Sequence, residues 1–408
     1  MELINKVIAF VFSVTVFSST LLGGGLIWSD NDLAVWRDRA VNGPYKSAGD
    51  AFDPLIPGEW DRIVTNKNSF VASPTADRKS TYWTGTPPSY TFVDNHINMS
   101  DAAFYALVKE DTALAIVVKD ELMWHANEAG LQISPTYHHT TDDGTWSRAE
   151  WIGRLIGCAD FVQDQFSAGE RATFDSWISD WAYSYEGSIN SELSSFANRY
   201  SRDYLTGLSS AAVNEWATKG HAYRDSGNTD HWPIAAISRY YNNRRASCIH
   251  MVAHAGVWLD DSLLKDRALL FFEEWIQFSV YPDGAVGEFQ RGSTSNPDKG
   301  INYLASVLKA AVSVAAALEL DGEFSLYDFS SSNGMFGSNC TTEPPKTLKL
   351  VVDTYIKLIS GDLDWYLDET TVSESTKING VNGNTQWVGE IWFAPMGNRY
   401  WKNDYIKQ

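Results

Sequence analysis

Apolar and polar positions along the chain recur mostly at the three- and four-residue spacing of amphipathic helices, and clear strand alternation is scarce. Ser100 and Asp101 are predicted to open a helix carrying Phe104, Leu107 and Val108. After a break at Glu110-Asp111, a second helix is predicted from Thr112 to Trp124, and residues 148–166 form another amphipathic run. Ser167-Ala168-Gly169-Glu170 has the pattern of a capping box, in which hydroxyl and carboxylate each accept from the other residue's backbone N–H. It should open a helix towards Trp181. Further helices are expected over residues 245–259, 262–278 and 302–320, and Pro344-Pro345 is expected to open one running to Ile359.

The connectors are short and hold Gly, Pro, Asp or Asn, as in Tyr281-Pro282-Asp283-Gly284. The pattern is therefore all-α, a succession of helical hairpins without a sequence repeat. An α-solenoid and a closed ring of helix pairs both fit it. Long polar loops at 84–95, 287–300 and 330–342 are expected to serve as functional rims or lids.

Composition narrows the picture in three places. Lys6 precedes an apolar run from Val7 to Phe17 and then Ser18, Ser19 and Thr20, which fits a signal peptide over residues 1–22. The run is too short to span a bilayer, nothing downstream reads as a membrane span, and a secreted or periplasmic location follows. No linker divides the rest, so residues 23–408 are expected to form a single domain. The net charge of −19 makes nucleic acid and anionic membranes poor partners for the surface as a whole. Cys158, Cys248 and Cys340 are too few and too far apart for a disulfide framework or a metal knuckle, and buried structural thiols are the better reading, although one bridge is possible.

Candidate chemistry concentrates in the middle of the chain. Asn242-Asn243-Arg244-Arg245 opens one predicted helix, and Asp283-Gly284-Ala285-Val286-Gly287-Glu288-Phe289-Gln290-Arg291 follows the next. Lys299 and Tyr303 stand at the head of a third. An amide, several guanidiniums and a phenol near helix termini can bind a sugar carboxylate and move protons beside it. With Arg239, these basic residues predict a positive cleft in a negative body.

These segments also carry a resemblance. The stretch Leu26-Ile27-Trp28-Ser29-Asp30-Asn31-Asp32-Leu33, with Trp36-Arg37 and Asn42-Gly43-Pro44, resembles the opening of alginate-lyase-like proteins. Asn242-Asn243-Arg244, Asp283-Gly284 with Glu288 and Arg291, then Tyr303, Leu320-Asp321-Gly322 and Leu326-Tyr327 continue it. Together they are similar to the α/α-toroid alginate lyases, whose poly(mannuronate) lyases carry an Asn-Asn-His, an Arg and a Tyr. The resemblance implies an incomplete (α/α) toroid of helical hairpins that cuts an acidic polysaccharide. No HExxH motif or His-carboxylate set supports a zinc site, and no cofactor is expected. Two departures stand out: Arg244 occupies the family's histidine position, and residues 292–298 are inserted before Lys299 and Tyr303. They point towards a related branch of alginate and glucuronan lyases.

The chemistry implied is β-elimination of a uronate. Removing the C5 proton beside a carboxylate builds up further negative charge, which preorganised donors must meet. Asn243 and Arg291 fit that neutralising role, because neither side chain titrates near neutral pH. A nearby guanidinium favours phenolate, so Tyr303 is the candidate base and can return the proton to the leaving O4. Asn242, Arg244, Arg245, Glu288 and Lys299, with His231 and Trp232 on a preceding loop, are candidate substrate contacts. Each also has a plainer explanation: an Asn pair caps a helix start, Arg291 can pair with Glu288, and a Tyr can belong to a core.

His250 and His254 lie seven and eleven residues after Asn243, so at 100° per residue both project near its face, as does Ser247. His250 is a second candidate base, whereas His254 reads better as a buried histidine bonded to a backbone carbonyl. His138-His139 is a weaker candidate on a polar loop, and most Trp residues sit at core spacing. Trp83, Tyr90, Trp146 and Trp232, on predicted loops, are better placed to touch sugar. Two rival functions remain: a non-catalytic secreted glycan-binding protein, and a glycoside hydrolase using two of Glu150, Asp230, Asp283 and Glu288.

Overall fold

A computed structural model describes residues 25–42, 59–78, 97–139, 143–199, 241–286, 298–332 and 345–360, apart from 27, 77, 138, 281–283, 285 and 324. The described residues are all-α, with eleven α-helices and one two-stranded antiparallel sheet. In chain order the helices are α1 Asp30–Asn42, α2 Glu59–Ala72, α3 Ile97–Lys109 and α4 Thr112–Asn127. Then follow α5 Asp143–Phe161, α6 Ala168–Arg199, α7 Asn243–Leu259 and α8 Ser262–Ser279. The series closes with α9 Asp298–Leu320, α10 Ser325–Asp328 and α11 Leu348–Ser360. The sheet pairs β1, Ser330–Ser331, with β2, Lys346–Thr347.

Local chemistry explains most of the boundaries. Ser29 and Asp32 cap α1 reciprocally, with Ser29 N–H donating to Asp32 Oδ2 at 2.9 Å and Asp32 N–H to Ser29 Oγ at 3.2 Å. The expected box at α6 forms in the same way, Ser167 N–H to Glu170 Oε2 at 2.8 Å and Glu170 N–H to Ser167 Oγ at 3.3 Å. Lys119 and the Ser167 donors hold that carboxyl down, to about 2. Between α7 and α8, Asp260 adopts the left-handed conformation (φ 52°) and Asp261 accepts from Leu263 and Leu264 N–H, which reverses the chain within two residues. At Gly256 a Cβ would stand 2.9 Å from Lys265 N, so the missing side chain lets that hairpin close.

Several boundaries differ from the sequence expectation. Helix α6 continues beyond Trp181 to Arg199. Helix α5 begins at Asp143, which puts Trp146 on a helix instead of a loop. Helix α11 begins at Leu348, not at Pro344-Pro345. Lys346 and Thr347 are taken up by the strand pair, and Thr347 Oγ1 then caps the helix by accepting from Leu350 N–H at 3.0 Å.

Packing makes α7 the centre of the described fold: it touches α5, α6, α8 and α9. Helix α5 also packs on α3, and α3 on α2 and α4. Side-chain pairs fix the directions. Gly153 of α5 faces Met251 of α7 while Trp146 and Glu150 meet Ser247, so α5 and α7 run parallel. Between α7 and α9, His250 and His254 both reach Ser313. Lys265 then bridges Asp260 and Asp321, just beyond the two C-termini, so this pair is parallel as well. The N-termini of α5, α7 and α9 therefore point the same way.

Two large apolar clusters fill the body, one around α7, α8, α9 and α11 and the other around α3 to α7. The second holds Trp151, Trp177 and Trp181 edge to face, and the Trp177 and Trp181 indoles both donate to Leu131 O, at 3.1 and 3.2 Å. These are core tryptophans, as their spacing predicts. The segment Tyr303–Leu320 of α9 is long and apolar enough to cross a membrane, which the sequence reading did not anticipate. It is 72% buried within the fold, as the core helix of a globular body would be.

Candidate active site

The N-terminus of α7 is built around its asparagine pair. Asn242, in extended conformation, accepts from Arg245 N–H at 3.1 Å through its side-chain oxygen. Asn242 is thus the cap, one of the two roles its position allows. Asn243 begins the helix and is buried, while Arg244 and Arg245 are half-buried beside it. Further along the same face come Ser247, His250 and His254, as the 100° rule predicts.

Each of these side chains is met from a neighbouring helix. Ser247 Oγ lies 3.0 Å from Trp146 Nε1 and 3.2 Å from Glu150 Oε1, and Trp146 Nε1 donates to the same Glu150 oxygen at 2.9 Å. His250 Nε2 lies 2.9 Å from Ser313 Oγ and His254 Nε2 3.2 Å from it, with the two rings edge to face at 4.0 Å. The hydroxyl carries one proton and two lone pairs, so at most one of the two imidazoles accepts from it and at least one donates. His254 is buried as expected, but its partner is this hydroxyl, where a backbone carbonyl was anticipated.

Burial, then His254 and Lys309, hold the His250 imidazole well below its ordinary 6.5, and burial alone brings His254 down to about 4. Both rings are therefore neutral at neutral pH. His250 is a weaker base than a free imidazole.

Helix α9 supplies the opposite wall. From Leu304 to Leu318 every residue is buried except Ser306 and Lys309. With half-buried Tyr303 and buried Ser313 these form a polar stripe on an otherwise apolar helix. The parallel register set by Ser313 and Lys265 carries back about ten residues, roughly 15 Å at 1.5 Å per residue. That brings Tyr303 level with Asn242 and Asn243. Trp146, by the same reasoning on α5, stands at the α7 N-terminus. By this reckoning Tyr303, Asn243 and Trp146 lie towards the same end of the three helices, with His250 about two turns deeper.

Gly284 shows what the Asp283-Gly284 turn does locally. Its φ is +85°, and a Cβ there would stand 2.0 Å from Thr354 Oγ1 of α11, so only glycine fits. The Val280–Val286 bridge closes the turn above it. His231, Trp232, Glu288 and Arg291 lie outside the described residues, as does the side chain of Lys299, whose backbone forms the first turn of α9.

Other candidates fall into structural roles. His139 is buried, lies 2.9 Å from Ser184 Oγ through Nε2 and stacks on Tyr185 at 3.7 Å. It belongs to the aromatic core and not to an exposed loop. Cys158 and Cys248 are buried thiols outside any disulfide, as expected of structural cysteines, and burial pushes Cys158 up to about 12. Ser306, Lys309 and Ser313 escaped the sequence reading, although polar residues spaced by three and four within an alanine- and valine-rich helix are a usable signal. No protein-family model matches the chain, and no curated protein does.

Proposed function

We propose that the chain is a secreted polysaccharide lyase of the alginate and glucuronan type, a single domain folded as an incomplete (α/α) toroid. The observation that carries this reading is the parallel register of α7 and α9, from which Tyr303 is reckoned to lie at about the level of Asn243. A half-buried phenol in the second turn of α9 and a buried amide at the N-terminus of α7 suit proton abstraction beside a carboxylate. The dipole of α7 favours negative charge beside Asn243. The toroid reading draws on the succession α3, α5, α7, α9, with α4, α6 and α8 as return helices.

In this mechanism Asn243 and Arg291 bind the uronate carboxylate and meet the charge that develops when C5 loses its proton. Tyr303 phenolate takes that proton, the C4–O4 bond breaks as the C4–C5 double bond forms, and the phenol returns the proton to O4. Arg244, Arg245 and Lys299 draw the polyanion to the mouth. With Arg244 in the histidine position, one tyrosine serves both transfers from one side of the ring. This requires the C5 hydrogen and O4 on that side, as in mannuronate and glucuronate.

Incubation with alginate, glucuronan and hyaluronan, followed by ultraviolet absorbance, tests the reaction class. A lyase produces the absorbance of the new double bond. New reducing ends without that absorbance would indicate a hydrolase, and retention of polymer without cleavage a binding protein.

A further inference from the structure

We infer that Glu150 is a specificity-determining residue of this site, a carboxylate that accepts hydrogen bonds from the C2 and C3 hydroxyls of a bound uronate. The sugar class rests on the lyase reading above; the geometry of the acceptor does not. Glu150 is half-buried on α5, and its Oε1 accepts from Trp146 Nε1 at 2.9 Å and from Ser247 Oγ at 3.2 Å. The Trp146 N–H also reaches Ser247 Oγ at 3.0 Å, so three side chains from two helices close a ring on one oxygen. Among the described residues no hydrogen bond to Oε2 is formed. A carboxylate offers about four lone-pair sites, and the oxygen left over is held in a fixed direction beside the indole.

Glu150 is ill suited to face the carboxylate of a uronate, where acceptor would meet acceptor, but it can face the other edge of the same ring. C2 lies across the pyranose from C5, and the hydroxyls at C2 and C3 are donors. Asn243 and Ser247 are one helical turn apart on α7, about 6 Å of rise, comparable with the width of one sugar ring. Asn243 then serves the carboxylate edge while Glu150, held by Ser247, serves the C2–C3 edge. Mannuronate and glucuronate differ only at C2, away from the atoms that react. Elimination itself does not distinguish them, and a fixed acceptor at C2 does.

The test is calorimetric titration of the full chain with saturated mannuronate and glucuronate tetramers, comparing wild type, Glu150→Gln and Trp146→Phe. Glutamine keeps an acceptor for Trp146 and Ser247 while replacing the other oxygen by a donor and removing the charge. Glu150→Gln should bind the preferred tetramer about tenfold more weakly and bring the two sugars to within about twofold of each other. Trp146→Phe, which loses one of the two pins, should move both quantities the same way by a smaller factor. A carboxylate that merely repels the polyanion predicts the opposite, tighter binding by Glu150→Gln, and that result overturns the inference. Unchanged affinity and preference, or a wild type without preference, overturn it too. Should Glu150→Gln lose its helical circular dichroism, Trp146→Phe decides alone, an unchanged preference counting against the inference. Tetramer binding without ultraviolet product defeats the lyase reading only, whereas a wild type that binds neither tetramer defeats both.

Discussion

Around the indoles of α4, α5 and α6, His125 and His139 are enclosed by aromatic rings. His125 Nδ1 lies 2.7 Å from Glu121 O, one turn back on its own helix, and His139 stacks on Tyr185. Along the contact of α7 with α9, His250 and His254 meet a hydroxyl from another helix, and half-buried Tyr303, Ser306 and Lys309 continue the polar line towards the mouth. Burying a polar group costs free energy in both places unless it is hydrogen-bonded. The aromatic region meets that cost with partners drawn from its own helices, as His125 Nδ1 and His139 Nε2 show. The α7–α9 contact keeps polar side chains in line across helices and only partly covered, an arrangement suited to a ligand.

The sharpest way to break this contrast is to remove a single oxygen from the polar line. Tyr303→Phe should reduce turnover at least a thousandfold while leaving polymer affinity nearly unchanged, read from initial ultraviolet rates and calorimetry. Wild-type turnover in that variant would move the base elsewhere, with His250 the first suspect. In the aromatic region the expected loss is of stability. Trp151→Ala, emptying a fully buried site, should cost about 3–5 kcal/mol in denaturant unfolding. A cost below about 1 kcal/mol would mean that the indole cluster is not the rigid support described.

Acid should weaken the polar contact through its histidines. Burial keeps His254 neutral down to about 4, whereas in the unfolded chain it takes up a proton near 6.5. Its contribution is complete above about pH 6.5 and is lost as the pH falls towards about 4, amounting to about 3 kcal/mol. His254→Gln should flatten stability against pH in that window, and an unchanged slope would place the titration elsewhere. The smallest effect concerns the cap. Asn242→Ala should cost about 1 kcal/mol of stability and leave the sugar preference intact. A lost preference would give Asn242 a direct part in binding.

What could be read in the sequence divides along the same line. Capping is local, so the Ser167–Glu170 box and the Asn242 cap could be anticipated from adjacent residues. The same holds for the α7 face bearing Asn243, Ser247 and His250, which follows from helical geometry alone. The start of α11 could not, because it depends on Lys346 and Thr347 pairing with a strand fifteen or so residues away. The partners of that α7 face were hidden for a similar reason. Glu150 is 97 residues from Ser247 and Ser313 is 63 from His250, and only the register of parallel helices brings them together. Trp146 lies on a helix and not a loop because that helix starts at Asp143, ahead of the apolar run that marks it in the sequence.

The central claim is that one tyrosine, level with Asn243, takes a proton from C5 and returns it to O4 on the same side of the ring. Initial rates of ultraviolet absorbance on block-purified poly-mannuronate, poly-glucuronate and poly-guluronate test it most directly. The account predicts rapid double-bond formation on poly-mannuronate or poly-glucuronate and weak action on poly-guluronate, where C5–H and O4 lie on opposite sides. A clear preference for poly-guluronate would contradict it and assign the base to a histidine facing Tyr303.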